Sequence, residues 1–380
     1  MVQIVEVKTK KQIKQFVEFP NKLYKGNPYY CPPMAGDEVN TFTVGKNPAY
    51  DFCESREFLA YKDGKIVGRI AGIISQAHID RHKKMQIRFG RFDAIDDIEV
   101  SKALFKAVRD YGKEKGMDEI IGPLGFTDTD REGMLIEGFE EKNLSITIYN
   151  HPYYKDHMEQ LGFKKDVDWV EYQVKMPKEI NPRFRRISEY VQKKYGFSVK
   201  RFKNSKEMAK YATEALHLVN EAFDHLYSYV PLTDKIIEQY MKDYIPVVNK
   251  DYVIVVVDKE DKVVGFGLMV PSLAEACRKH NGHLFPFGFI SFLKALKSKK
   301  NKILEMYFVA VKPELQSVGV NAIIMDEAVT NCVKNGIEIA ETGPELEWNG
   351  KVQDLWKSFD ARQHRRRRSW IANIDELDLK

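Results

Sequence analysis

Residues 304–329, LEMYFVAVKPELQSVGVNAIIMDEAV, change from a strand-like pattern to a helix-like pattern near their middle. The first part is an apolar run that stops at Pro313, which cannot donate a hydrogen bond to a sheet and so ends a strand. Apolar residues then recur at helical spacing from Ala322 to Lys334, as in a helix that packs on a sheet. The stretch therefore predicts a strand that leads through a polar turn directly into a helix.

The beginning of this predicted helix is a candidate anion-binding site. A helix N-terminus carries unpaired backbone N–H groups and the positive end of the helix dipole. Gly319 has no Cβ, so a phosphate can approach the main chain closely there. Many turns with a single glycine bind no anion, and the local pattern alone leaves both interpretations open.

The chain contains the same α/β pattern twice. A turn and a buried strand occur in DGKIVGRIAGII (63–74) and again in EDKVVGFGLMV (260–270). A helix, a strand and Gly-Pro follow in residues 103–123 and again in residues 323–344. These matches, which occur in the same order, predict two copies of one unit, residues 1–176 (the first copy) and 177–380 (the second copy). The second copy also carries an insert, residues 271–302.

The segment VAVKPELQSVGVNAIIM in the second copy resembles the signature of the GNAT acyltransferase superfamily. In that signature a V-x-V-x-P strand leads into Gln/Arg-x-x-Gly-x-Gly/Ala, and here Gln316, Gly319 and Asn321 stand at the three positions. The resemblance implies an α/β (α+β) fold of two tandem GNAT-like acyl-CoA N-acyltransferase domains. Each would have a mixed central sheet flanked by helices, and the first copy would be a degenerate partner.

The resemblance also implies a site for acetyl-CoA or another acyl-CoA as cosubstrate, with no metal. The two strands beside the motif helix would splay apart to admit the pantetheine arm. Backbone N–H groups at Val309 to Val311 would support the oxyanion. The diphosphate would bind to backbone amides, and Asn349 would be a further contact to the cofactor. The implied amides are those of Gln316, Ser317, Val318, Gly319, Val320 and Asn321.

Two side chains of the motif strand are candidates for catalysis. In some GNAT branches a glutamate at the place of Glu305 acts as general base, whereas a solvent-facing or salt-bridged strand carboxylate is the alternative. Family members often use a Tyr of the last short helix to protonate the leaving thiolate. Trp356 stands there in this sequence, and an indole N–H has no useful acidity. Tyr307 or a water is then the predicted proton donor.

The first copy lacks the glycine turn. Its matching segment carries Asp93, Asp96, Asp97 and Glu99, which would repel a diphosphate, so we expect coenzyme A in the second copy only. The first copy's Gly-rich loop 122–154 carries Asp128, Asp130 and Glu132, which we predict to bind a cationic amine acceptor. A surface loop packed by its own aromatic residues is the alternative.

Two further segments have competing interpretations. Strand alternation in RQHRRRRSW (362–370) places Arg365 and Arg367 on one face and Arg366 and Arg368 on the other. We expect a solvated edge strand there rather than a nucleic-acid site. The apolar and basic segment 282–300 of the insert fits a wall for a long acyl chain, a membrane contact or a lid over its own core.

Composition narrows the class of protein. The 380 residues are 43% hydrophobic and carry a formal net charge of +5, as expected of globular domains with a mild preference for anionic ligands. The four cysteines lie far apart, and this favours neither a zinc site nor a disulfide framework. The charged N-terminus and the lack of a long apolar span predict a soluble, cytoplasmic protein.

These observations together predict an N-acyltransferase that moves an acyl group, most simply acetyl, from acyl-CoA to a primary amine. The acceptor would be a small molecule or a peptide, and a nucleic-acid partner is disfavoured. Two alternatives stay open: an aminoacyl-tRNA-dependent transferase of the tandem GNAT type, and a non-catalytic acyl-CoA-binding module. The sequence leaves the oligomeric state open.

Overall fold

The computed structural model describes residues 1–298, 300–377 and 379. The strands within these residues are β1 Gln3–Glu6, β2 Cys53–Lys62, β3 Lys65–Ser75, β4 Gln86–Ala94, β5 Glu119–Gly122, β6 Met134–Glu137, β7 Lys164–Lys175, β8 Ser198–Val199, β9 Val253–Val257, β10 Val263–Pro271, β11 Ile303–Val311, β12 Ile339–Glu341, β13 Glu345–Leu346 and β14 Asp360–Asn373. The α-helices are α1 Lys10–Leu23, α2 Ala35–Thr41, α3 Gln76–His82, α4 Ile98–Glu114, α5 Tyr153–Gln160, α6 Pro182–Tyr195, α7 Ser205–Phe223, α8 Asp234–Tyr244, α9 Ala274–His280, α10 Gly288–Lys297, α11 Val320–Asn335 and α12 Gly350–Trp356.

The strands form one mixed sheet. Its order is β1-β2-β3-β4-β5-β14-β7-β12-β11-β10-β9-β8, with β6 paired to β14 and β13 paired to β7. The pairs β4–β5 and β11–β12 are parallel, and each is joined by a crossover helix, α4 or α11. The mixed sheet flanked by helices confirms the predicted fold class.

The internal repeat is visible in the topology, and the two copies exchange their last strands. The hairpin β2–β3 leads into β4, α4 and β5, just as β9–β10 leads into β11, α11 and β12. The last strand of the first copy, β7, pairs with β12 of the second copy. The last strand of the second copy, β14, pairs with β5 of the first copy and with β7. The boundary predicted at about residue 176 follows β7 along the chain, whereas in space each copy is completed by the other's final strand.

Glycines on the sheet allow the crossover helices to lie close to it. A Cβ at Gly265 of β10 would come within 2.6 Å of Val320 Cγ1 on α11. A Cβ at Gly68 of β3 would come within 2.8 Å of Leu104 Cδ1 on α4. Because a side chain at either position would displace its helix, these glycines determine how near the start of each helix lies to the strand beside it.

The prediction that residues 362–370 form a solvated edge strand is wrong. β14 lies in the middle of the sheet, between β5 and β7. The side chains of Arg365 and Arg367 are completely buried, and both form ion pairs with Glu171 of β7. On the opposite face, Arg366 and Arg368 pair with Asp168 of β7 at 3.2 and 2.8 Å. The alternation was predicted correctly; the burial was not, because the strand exchange supplies carboxylates that the local sequence does not reveal.

Unbroken strand alternation would place Glu305, Tyr307, Val309 and Val311 on one face of β11, but the structure departs from this alternation beyond Tyr307. A bulge at this residue interrupts the pairing with β10. Leu304 and Val311, which unbroken alternation would put on opposite faces, therefore pack in the same core cluster beneath α11. Val309 and Val311 consequently lie on the face opposite Glu305.

Within the described residues, the helices are all too short or too polar to cross a membrane.

Candidate functional site

A gap opens in the sheet next to the motif strand. β11 and β12 pair over three positions, from Ile303 opposite Ile339 to Glu305 opposite Glu341. β12 ends there, whereas β11 continues to Val311. Val309 is 39% exposed although its strand lies inside the sheet. The strands thus part at the place where the GNAT resemblance implies an opening for the pantetheine arm.

The glycine turn, residues 316–321, presents backbone amides at the edge of this gap. Gly319 is the N-cap residue of α11 with φ of 101°, and the helix has no side-chain cap. In the part of the chain that the structure describes, the amides of Ser317 and Gly319 donate no hydrogen bond. A side chain at Gly319 would be strained at this φ, and its Cβ would press on Val191 Cγ2 at 3.0 Å. The turn therefore has free donors at a helix N-terminus, as a diphosphate site requires.

The side chains of the glycine turn fix its orientation. Val320 is fully buried and Val318 packs against the same core cluster, whereas Gln316 and Ser317 are exposed. Asn321 is partly buried. Because the valines anchor the turn from below, its exposed side offers mainly main-chain groups. This arrangement fits an anion contacted through the backbone.

The N-terminus of the equivalent helix in the first copy, α4, is capped by a carboxylate. Asp97 caps α4 by accepting a hydrogen bond from the Glu99 amide at 3.0 Å. Asp93, expected in the same turn, instead lies on β4, where it is buried and accepts hydrogen bonds from Arg69 and Tyr24 at 2.8 Å each. The Asp97 carboxylate places negative charge at this helix start, which disfavours an anion there, and a single coenzyme A site per chain stays a prediction.

Glu305 is buried between two serines. The residue is only 1% exposed to solvent. Ser272 donates to Glu305 Oε1 at 2.6 Å, and Ser145 donates to Oε2 at 3.3 Å. Burial raises the pKa of Glu305 to about 7, against the opposing effects of the two serine hydrogen bonds and of Arg365. Glu305 is therefore neither solvent-facing nor, among the described residues, part of an ion pair.

Tyr307 lies at the bulge, two residues further along β11. Burial, followed by the charge of Glu305, raises the pKa of Tyr307 well above its ordinary value. The phenol therefore holds its proton firmly at neutral pH. This makes Tyr307 a weaker candidate for thiolate protonation than its position in the sequence indicates.

The loop 122–154 of the first copy reaches the motif strand of the second copy, since Ser145 belongs to it. The three acidic residues that we predict to bind the acceptor each lie in a different environment. Asp128 accepts a hydrogen bond from the Val230 amide at 2.8 Å, and burial raises its pKa to about 6. Asp130 accepts from the Phe126 amide at 2.7 Å and so stabilises the loop itself. Burial and the neighbouring Asp128 raise the pKa of Glu132 well above its usual range.

Glu345 was not identified from the sequence. The Trp356 indole N–H donates to Glu345 Oε1 at 2.9 Å. Burial raises the pKa of Glu345 to about 7, and its Oε2 atom is buried without a partner in the described residues. Glu345 begins β13, which follows β12 along the chain and pairs with β7. Asn349, whose side chain caps nothing in α12, is four residues further. The one available signal was the tryptophan where the family has a tyrosine.

Comparison with known proteins identifies the fold. No family model matches the chain. Protein YghO of Escherichia coli K12 is 29% identical over 370 residues, covering 96% of this chain and 94% of that protein. A bacterial ceramide synthase of Caulobacter vibrioides is 25% identical over 326 residues, covering 83% and 81%.

Among solved structures, a tandem GNAT protein from the clavulanic acid biosynthesis pathway superimposes with a TM-score of 0.58. The two proteins are 10% identical in sequence, and the superposition covers 98% of this chain and 99% of the other. The chain is therefore a tandem GNAT-fold protein, which confirms the resemblance that the glycine turn indicated.

Proposed function

We propose that the protein is an N-acyltransferase that moves an acyl group from acyl-CoA to an amine, with Glu305 as the general base. The observation that carries this proposal is the position of Glu305. It is a buried carboxyl, held by two serines, at the last paired residue before β11 and β12 part. The GNAT fold supports this class of reaction, since its members use acyl-CoA as cosubstrate.

Acyl-CoA would bind from the glycine turn into the gap. The amides of Ser317 and Gly319, which donate no hydrogen bond within the described residues, and the dipole of α11 would hold the diphosphate. The pantetheine arm would occupy the opening between β11 and β12, where its amides can use strand groups that lack a neighbour. The thioester would then reach the bulged part of β11, whose backbone N–H groups would stabilise the oxyanion.

The amine nitrogen attacks the thioester carbon, a C–N bond forms and the C–S bond breaks. Glu305 accepts the proton that the nitrogen loses, directly or through one water. A base with a pKa of about 7 is half ionised at neutral pH and is well matched to this task. The departing thiolate takes a proton, and we infer that Glu345 supplies it. A carboxylic acid with a pKa of about 7 is a better donor than Tyr307.

We infer further that the acceptor and the acyl donor carry aliphatic chains. One relative is named a ceramide synthase, and a ceramide is an amide of a fatty acid with a long-chain amino alcohol. Ser272, the partner of Glu305, directly precedes the helices of the insert, so an apolar segment adjoins the candidate base. Asp128, which is mostly ionised at neutral pH with a pKa of about 6, would attract the cationic amine before it reacts, and Glu132 would offer it a carboxyl that accepts a hydrogen bond.

The test is a thiol-release assay with acetyl-CoA and palmitoyl-CoA, each offered to a short primary amine and to an 18-carbon amino alcohol. We expect amine-dependent release of coenzyme A and an amide product by mass spectrometry, with palmitoyl-CoA and the long-chain amine fastest. Binding of acyl-CoA without transfer to any amine would favour the non-catalytic module. Transfer from aminoacyl-tRNA alone would favour the tRNA-dependent alternative.

A further inference from the structure

The insert, residues 271–302, folds as a helical hairpin with two apolar faces. Its inner face packs against the body of the protein: Phe292 of α10 and Cys277 of α9 share a core cluster with Cys31 of the first copy. Leu296, on the same side of α10, is also buried. The hairpin is thus anchored, and its core does not require the apolar residues of the other side.

The outer face of the hairpin is apolar and exposed. Five large side chains lie within nine consecutive residues: Phe285, Phe287, Phe289, Ile290 and Leu293 are exposed by 77, 69, 41, 55 and 41%. At roughly 200 Å² for a large side chain, they present about 570 Å² of apolar surface. Contiguous apolar patches of this size on a monomer commonly mark a binding surface.

The hairpin itself carries an excess of positive charge, and Glu18, which lies 3.0 Å from His283, is a neighbouring acidic group. Between Glu275 and Glu305 the chain contains seven Lys or Arg residues and no Asp or Glu. Lys294 and Lys297 of α10 are exposed and follow the apolar residues directly. Two copies of this chain that met through the patch would bring like charges together, which disfavours self-association.

We propose that the outer face of the hairpin docks on the surface of an anionic phospholipid bilayer. Exposed phenylalanines beside lysines are the composition of segments that lie in the membrane interface, with rings at the acyl boundary and ammonium groups at the phosphates. α10 has ten residues and is far too short to span a bilayer, so the contact is peripheral. This binding does not depend on acyl transfer.

Docking would also bring the candidate site close to lipids. Ser272 lies at the foot of the hairpin and holds Glu305 at 2.6 Å. A long-chain substrate that partitions into the bilayer would then reach the base without crossing water.

The experiment is vesicle flotation of the full-length protein. Vesicles of phosphatidylcholine alone are compared with vesicles that contain phosphatidylglycerol, at low and high salt. We expect binding to the anionic vesicles, weakened by salt. Phe285→Ser with Phe287→Ser should lower the partition coefficient more than tenfold. Lys294→Gln with Lys297→Gln should lower it roughly fivefold for each lysine.

Matched controls replace equally exposed residues elsewhere. Val44→Ser with Tyr190→Ser, at sites exposed by 77 and 62%, should leave the partition unchanged. Thermal unfolding of each variant checks that it folds. Equal flotation of the parent and the Phe285/Phe287 variant would overturn the proposal. The proposal would also be overturned if the parent protein did not bind vesicles but formed a dimer that the Phe285/Phe287 variant does not form. The patch would then be a contact between two copies of the chain. Acyl transfer is measured separately in detergent, so the membrane proposal and the proposed acyltransferase activity can each fail independently of the other.

Discussion

Replacing Glu305 by Gln preserves the shape of the side chain and removes its titration. The pKa of Glu305 is raised from 4.5 to about 7, chiefly by burial. The folded protein therefore resists ionising this group, and the cost grows as the pH rises from the unfolded-state pKa towards 7. With 1.36 kcal/mol for each pKa unit, the cost is about 3 kcal/mol at pH 8 and about 1 kcal/mol at pH 5.

Glu305→Gln should consequently unfold with a larger free energy than the parent, and the gain should increase by about 2 kcal/mol between pH 5 and pH 8. The measurement is urea unfolding at both pH values, with Glu260→Gln at an exposed turn as the baseline. The same variant should lose turnover by roughly 10²–10⁴-fold while its affinity for coenzyme A stays unchanged, because a base acts on the amine. A gain in stability that does not change with pH would refute the burial argument. Turnover close to that of the parent would refute the catalytic role.

Three other predictions concern the remaining parts of the site. Titration calorimetry should give a stoichiometry of one acyl-CoA per chain, and Gly319→Glu should abolish the heat of binding. The control is Gly64→Glu, at another glycine with positive φ (72°) and open surroundings, which should bind like the parent. Replacing Asp128, Asp130 and Glu132 by their amides should raise the KM for the acceptor and leave that for acyl-CoA unchanged. An unchanged acceptor KM would leave these three residues without a role in binding. Glu345→Gln should lower kcat and remove the fall in rate above pH 7. Trp356→Phe removes a hydrogen bond that lowers the pKa of Glu345, so the fall should move to higher pH, and a profile that stays fixed would contradict the pairing.

The sequence alone determined the features that depend on local pattern. The glycine turn, the helix that follows it and the repeat of the α/β unit were all predicted, because periodicity and the need for a residue without Cβ are properties of neighbouring residues. The same pattern separated the two faces of residues 362–370. Glu305 was identified because it lies on the strand that enters the turn.

Tertiary structure decided what these side chains meet. The exchange of β7 and β14 buries Arg365 and Arg367 against Glu171, which lies about two hundred residues earlier, and no local pattern encodes that partner. The bulge at Tyr307 reverses the faces of β11 through pairing with another strand. Glu305 and Glu345 acquire pKa values near 7 because distant segments exclude water from them, and desolvation depends on the whole packed environment of a group.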